Sequence, residues 1–283
     1  MIRFFFVFMS WAILNTSAHA SSVKYPQAFV HDGRERLYYL NVPDDLPENA
    51  PLIVALHGMG GQSHKMRYGL GLHELASELG FATLFPQGSM FGEDTSHWNT
   101  GEGPGEQNDT DFLLALIEHV VQTHGLDPSR VYVMGISNGA QMAYHLGCHA
   151  PYKIAGVVAI IGTISGTDWS ECYLNNPVSL LHIHGKADPV VPFDGGHSWY
   201  NAEFSYPSVP ELISHWVQEV GAAPTPVAQT LQNAEITRYE TELGAVVELV
   251  AIDNFGHDWP HLQNAGFSAS RLIADFVINL PHR

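Results

Sequence analysis

Short apolar runs alternate along this chain with longer segments whose apolar residues recur every three or four positions. The runs are "PLIVALHG" (51–58), "FATLFPQG" (81–88), "RVYVMGIS" (130–137), "IAGVVAIIG" (154–162), "VSLLHIHG" (178–185) and "VVELVAID" (246–253). Runs of this length bounded by glycine read as strands buried on both faces. Between them lie candidate helices over 64–79, 109–124, 138–147, 208–220 and 266–279; in the second, Phe112, Leu113, Leu116, Ile117 and Val120 mark one apolar stripe. The alternation predicts an α/β fold, a mostly parallel sheet flanked by helices on both faces. Residues 23–42 read as an antiparallel hairpin leading into that sheet, with "HDGRE" at its turn. With 45% hydrophobic residues in 283, and no repeat or low-complexity linker, residues 21–283 are expected to form one catalytic domain.

The first twenty residues change the picture of where the chain works. Arg3, the apolar stretch "FFFVFMSWAIL" (4–14) and Ala18-His19-Ala20 follow the pattern of an export signal with a cleavage site, so residues 1–20 are expected to be removed. Eleven apolar residues are too few to span a hydrocarbon core, which takes about 20. The mature chain is therefore expected to be secreted, extracellular or periplasmic, and to have no membrane partner. Twelve Lys and Arg against 29 Asp and Glu give a formal charge of -17, which repels nucleic acid and anionic lipid. In an oxidising compartment the two cysteines, Cys148 and Cys172, are expected to pair; two buried free thiols are the alternative.

Ser137 stands in "VYVMGISNGAQMAYHL", a Gly-x-Ser-x-Gly between an apolar strand and a helical segment. The five-residue pattern alone is weak in a glycine-rich chain. The strand-turn-helix setting makes Ser137 a candidate nucleophile, lifted above the sheet edge by a strained turn that needs Gly135 and Gly139. Such a serine requires a base and an orienting acid, following in the order Ser, Asp, His. Asp188, in "HIHGKADPVVPFDGG", leaves a strand at the edge where active-site loops gather; a turn aspartate before Pro189 is the plain alternative, and Asp194 is the reserve. His257, in "IDNFGHDWP", is the histidine after Asp188 that directly follows a strand. Two backbone amides must hold the developing oxyanion: Asn138 opens the helix after the nucleophile, and Met59 lies in "LHGMGG", with Gly60 in reserve. His57 is read as shaping that turn rather than as a base. His182 and His184, two apart on a strand with Asp188 downstream, raise a metal-site reading, but no second cluster such as His-x-x-x-His is expected to supply further ligands, and no metal or other cofactor is assigned.

Taken together, "LHGMGG", "GISNGAQMAYHLGC", "HIHGKADPVVPFDGG" and "GHDWP", spread over roughly residues 50–260, resemble a family of secreted α/β-hydrolase esterases that includes polyhydroxybutyrate depolymerases and feruloyl and acetylxylan esterases. The resemblance implies the α/β-hydrolase fold and a serine esterase, with Ser137, Asp188 and His257 on the triad positions and Met59 and Asn138 near the oxyanion positions. "SHWNTGEG" (96–103) is similar to a Ser-Trp-Asn segment beside the family's pocket, which makes Trp98 a substrate contact or a core residue; Trp259 carries the same two readings. Ala140 and Gln141 depart from the residues many members carry beneath the elbow. The expectation is hydrolysis, through an acyl-enzyme, of polyhydroxybutyrate-type or feruloyl-type esters that are soluble or oligomeric. Soluble esters are favoured because no linker tract introduces a second binding module. A serine peptidase on short peptides and a binding protein on an inactive hydrolase scaffold are the alternatives.

Overall fold

The computed structural model describes residues 25–92, 94–100, 109–164, 166–197 and 205–281; the expected leader, 1–20, lies outside them. The chain opens with strands β1 (Gln27–His31) and β2 (Arg34–Asn41), then β3 (Leu52–Leu56), helices α1 (Ser63–Gly69) and α2 (Leu72–Leu79), and β4 (Ala82–Pro86). A small hairpin, β5 (Ser89–Phe91) and β6 (Thr95–His97), precedes α3 (Asp109–His124), β7 (Val131–Ile136) and α4 (Asn138–His149). There follow β8 (Gly156–Ile160), α5 (Gly166–Glu171), β9 (Ser179–Gly185), the short β10 (Gly196–His197) and β11 (Ser205–Tyr206), and α6 (Val209–Val220). The chain then runs through β12 (Val227–Leu231), β13 (Ala234–Glu240), β14 (Val246–Ile252) and α7 (Ala269–Asn279).

Ten strands form one sheet in the order β1-β2-β4-β3-β7-β8-β9-β14-β13-β12. The block from β4 to β14 is parallel, and antiparallel strands close both edges. The six runs read from the sequence are its six parallel strands. They are largely apolar because both faces are covered: Leu52, Val54, Leu56, Val131 and Val133 pack with Phe112, Leu116, Met142 and Trp216, while Ile53, Ala55, Tyr132 and Met134 pack with Leu72, Ala76, Ile273 and Val277. Successive residues of a strand face opposite sides, so each run feeds both layers.

One expectation needs correction. The helix expected over 64–79 is two helices, because Gly71 takes φ 66 between α1 and α2; a left-handed residue cannot continue an α-helix. The hairpin β12–β13 was not anticipated at all. β12 is exposed along almost its whole length and carries little apolar alternation to read. The first hairpin is as expected: Asp32 (φ 48) and Gly33 (φ 71) form its two-residue turn, the primed geometry that matches strand twist.

Candidate active site

At the carboxyl ends of β3, β7, β8, β9 and β14 the loops converge on a cleft of about 450 Å³, lined among others by Gly58, Met59, Ser137, Asn138, Tyr206, His257 and Trp259. Open α/β sheets place their sites at this edge. Ser137 sits between β7 and α4 with φ 53 and ψ -116, a backbone region that costs roughly 1–3 kcal/mol and persists only where the surroundings fix it. The flanking glycines do the fixing. A Cβ on Gly135 would stand 1.9 Å from the Gly139 carbonyl oxygen, and one on Gly139 would stand 2.3 Å from that of Leu56. Elbow and β3 therefore touch backbone to backbone.

Asp188 is buried, and its Oδ1 accepts the amides of Val190 (2.8 Å) and Val191 (2.9 Å). Its Oδ2 lies 2.7 Å from His257 Nδ1, and His257 Nε2 lies 3.1 Å from Ser137 Oγ. Burial pushes the Asp188 carboxyl up, but the bonds from His257, Val191 and Val190 more than offset it and hold it below the ordinary value. A carboxylate only accepts, so Nδ1 of His257 carries the proton and the Nε2 lone pair faces the serine hydroxyl. The arrangement can draw a proton from Ser137. Asp194, the reserve, has no part in this chain.

A second run of hydrogen bonds supports the Asp188 loop from beneath. His184 Nε2 lies 2.9 Å from the Val191 carbonyl and 3.6 Å from Asp188 Oδ2, both acceptors, so it bears the proton. His184 Nδ1 must then accept from His182 Nε2 at 3.0 Å, and His182 Nδ1 accepts from the Tyr144 hydroxyl. Burial lowers the basicity of both imidazoles, His182 well below the ordinary value. With these nitrogens committed to each other, the pair serves the loop rather than a metal.

Among the described residues the Met59 and Asn138 amides, both in the cleft lining, have no protein acceptor, whereas Gly60 donates to Ser96 O at 2.7 Å. The reserve donor is thus engaged. His57 Nε2 accepts the Gly88 amide at 3.0 Å, so its Nδ1 donates to the Gly58 carbonyl at 2.8 Å; burial lowers its basicity. It holds the turn. Trp98 is corrected: at 1% exposure it stands outside the cleft lining. Its indole donates to His57 O (2.8 Å) and its amide to Asn138 Oδ1 (2.7 Å). It braces the Met59 turn against the elbow, because an indole N–H in a core needs an acceptor. Trp259 does line the cleft, as do Gln141 and Tyr206; Tyr206, on β11, went unread because a two-residue strand leaves no pattern.

The Esterase PHB depolymerase family model matches residues 36–239. The chain belongs to this family. NocK of Nocardia uniformis subsp. tsuyamanensis is 34% identical over 166 residues, 58% of this chain and 48% of that one. The bifunctional acetylxylan esterase/xylanase XynS20E of Neocallimastix patriciarum is 28% identical over 180 residues, 62% of this chain and 25% of that one. Feruloyl esterase C of Emericella nidulans is 29% identical over 201 residues, covering 70% and 66%. The chain spans about half the length, or less, of several curated relatives it matches. An acetyl xylan esterase from Aspergillus awamori shares the α/β-hydrolase fold, with a TM-score of 0.64 over 86% of this chain and 99% of that one at 16% identity.

Two further features bear on the family member's surroundings. Cys148 and Cys172 form a disulfide, as expected, joining the end of α4 to the residue after α5. α4 does carry a His-x-x-x-His pair, His145 and His149, on its face toward Asp168; the regular helical spacing marks it in the sequence. No described helix is long and apolar enough to cross a membrane.

Proposed function

We propose that this chain is an exported serine carboxylic-ester hydrolase working through an acyl-enzyme, with Ser137 as nucleophile, His257 as general base and Asp188 as its orienting acid. The observation that carries the reading is the continuous Asp188–His257–Ser137 hydrogen-bond chain opening on the cleft. His257 Nε2 takes the Ser137 proton as Oγ adds to the ester carbonyl. The Met59 and Asn138 amides receive the oxyanion, and Asp188 stabilises the imidazolium. The imidazolium then protonates the departing alkoxide, and water, deprotonated by the same nitrogen, releases the acid. The reaction needs no metal or organic cofactor.

Cleft chemistry supports a neutral ester. Among the described residues its lining holds no Lys or Arg but includes Asp258, which disfavours an anionic acyl group and helps expel the carboxylate product. Tyr206 and Trp259 offer aromatic surface, which favours feruloyl-type esters over polyhydroxybutyrate-type ones. The printed names of the feruloyl and acetylxylan esterase relatives support the same class. Removal of residues 1–20 on export rests on the leader pattern alone.

A panel of hydroxycinnamoyl, acetyl and hydroxybutyryl esters, with matched amides, tests the reading alongside fluorophosphonate labelling. Wild type is expected to be labelled once and to prefer esters. Ser137→Ala is expected to lose label and at least about 10³-fold in kcat/KM while remaining folded. Ester turnover by purified Ser137→Ala within a few-fold of wild type would sink the assignment.

A further inference from the structure

His145 and His149 stand four apart on α4, so their imidazoles share one face of the helix, with ring centroids 4.2 Å apart. Both point at Asp168 on α5. His145 Nδ1 is 3.0 Å from each carboxylate oxygen, and His149 Nε2 is 2.8 Å from Oδ1. The three donor atoms all fall within 4.8 Å of one another. A tetrahedral ion bound at about 2.0–2.2 Å holds its ligands roughly 3.3–3.5 Å apart. Seating an ion here requires the His–Asp contacts to open by roughly 0.3–0.7 Å.

We propose that His145, His149 and Asp168 form a zinc-class metal site that staples α4 to α5. Two imidazoles and one carboxylate suit a borderline cation; calcium and magnesium prefer all-oxygen sets. The Asp168 side chain is 3% exposed and that of His149 41%, so the ion sits on an anchored carboxylate and reaches solvent on one side, where water completes the shell. Each facing imidazole nitrogen bears a proton while it donates to Asp168. Metal binding requires each ring to give up that proton, to its other nitrogen or to solvent, so that the ion meets a lone pair. The formal charge of -17 favours cation entry.

The placement gives the ion a structural rather than a catalytic role. Cys148, between the two histidines, is already bonded to Cys172 just past α5, so disulfide and metal clamp the same two elements. One of them, α4, begins at the nucleophile elbow. The segment entering the other includes Ile161 and Gly162 of the cleft wall, where a Cβ on Gly162 would stand 2.5 Å from the Ser137 carbonyl oxygen. Clamping α5 limits the movement of that wall.

Calorimetric titration of zinc chloride into chelator-treated, untagged full-length protein tests the proposal, with thermal unfolding recorded with and without zinc. Wild type is expected to bind one zinc at micromolar or tighter affinity and to gain several degrees in Tm, since a ligand of the folded state stabilises it by mass action. His149→Gln, at an exposed position, is expected to fold and to bind at least about tenfold more weakly. Asp168→Asn is expected to do the same where it folds. Ester turnover by His149→Gln without zinc should match that of zinc-free wild type. No zinc uptake by wild type, or titrations of wild type and His149→Gln that superpose, would overturn the site.

Discussion

Replacing His182 with Gln removes a buried titratable group while keeping a donor and an acceptor for its neighbours. In the folded protein the Tyr144 hydroxyl occupies Nδ1 and Nε2 donates to His184, so a second proton on His182 must displace the tyrosine in a site fully shielded from water. Its basicity is accordingly well below the ordinary value, by burial first and then by His184. In the unfolded chain the imidazole titrates near 6.5. Below that pH the unfolded state binds more protons than the folded one, so stability is complete above about pH 6.5 and is lost as pH falls. Between pH 7.5 and 5.5 one imidazole kept neutral in the fold accounts for at most about 1.4 kcal/mol. His182→Gln is expected to lose some stability at pH 7.5, through imperfect packing, yet to lose about 1 kcal/mol less than wild type on going to pH 5.5. Urea unfolding at both pH values, followed by fluorescence, measures the two differences. Equal pH sensitivity in wild type and variant would refute the assignment of protons along the Tyr144–His182–His184 chain.

Asp188→Asn presents an amide N–H to His257 Nδ1, reversing the imidazole so that Nε2–H faces Ser137; kcat should fall by about 10³–10⁴ with ester KM little changed. Trp98→Phe leaves the His57 carbonyl without its indole donor, at a cost of about 1–3 kcal/mol readable in the urea midpoint, with a smaller loss in kcat from the slackened Met59 turn. Gly139→Ala drives a methyl to 2.3 Å from the Leu56 carbonyl oxygen and should give a markedly lowered Tm or insoluble protein, whereas Gly60→Ala, with open space around it, should fold with only a small loss from its positive φ. Cys148→Ala combined with Cys172→Ala should lower stability by about 3 kcal/mol for a bridge spanning 24 positions, measured by the same unfolding assay.

The parallel block was legible because strands buried on two faces favour near-continuous apolar residues, and the loops carrying Ser137, Asp188 and His257 follow three such strands. The edge was not. β12 is held by backbone pairing to β13 and by little side-chain burial, so "VAQTL" has no pattern that separates it from a loop. Cleft lining was partly hidden for a related reason: Tyr206 reaches the site from a two-residue strand, and no local periodicity announces it. Trp98 illustrates the opposite difficulty. Its neighbourhood in sequence points toward the pocket, but whether an indole faces substrate or a carbonyl depends on where the His57 carbonyl is, 41 residues away.

Seventeen histidines make the residue type uninformative, and what distinguishes them is the partner that fixes each proton. His57 takes the Gly88 amide on Nε2, so that nitrogen is an acceptor already used. His184 gives its Nε2 proton to a carbonyl, leaving Nδ1 to another histidine. His257 gives its Nδ1 proton to a carboxylate and keeps an Nε2 lone pair at a cleft where a hydroxyl waits. Only that combination of a fixed proton on one nitrogen, a vacant lone pair on the other and a charge able to stabilise the imidazolium makes a general base. The difference lies in the partners that the loops at the sheet edge supply. Reordering those partners, as Asp188→Asn does, should convert the third imidazole into a structural one without moving it, which is why activity and stability are expected to separate in that variant.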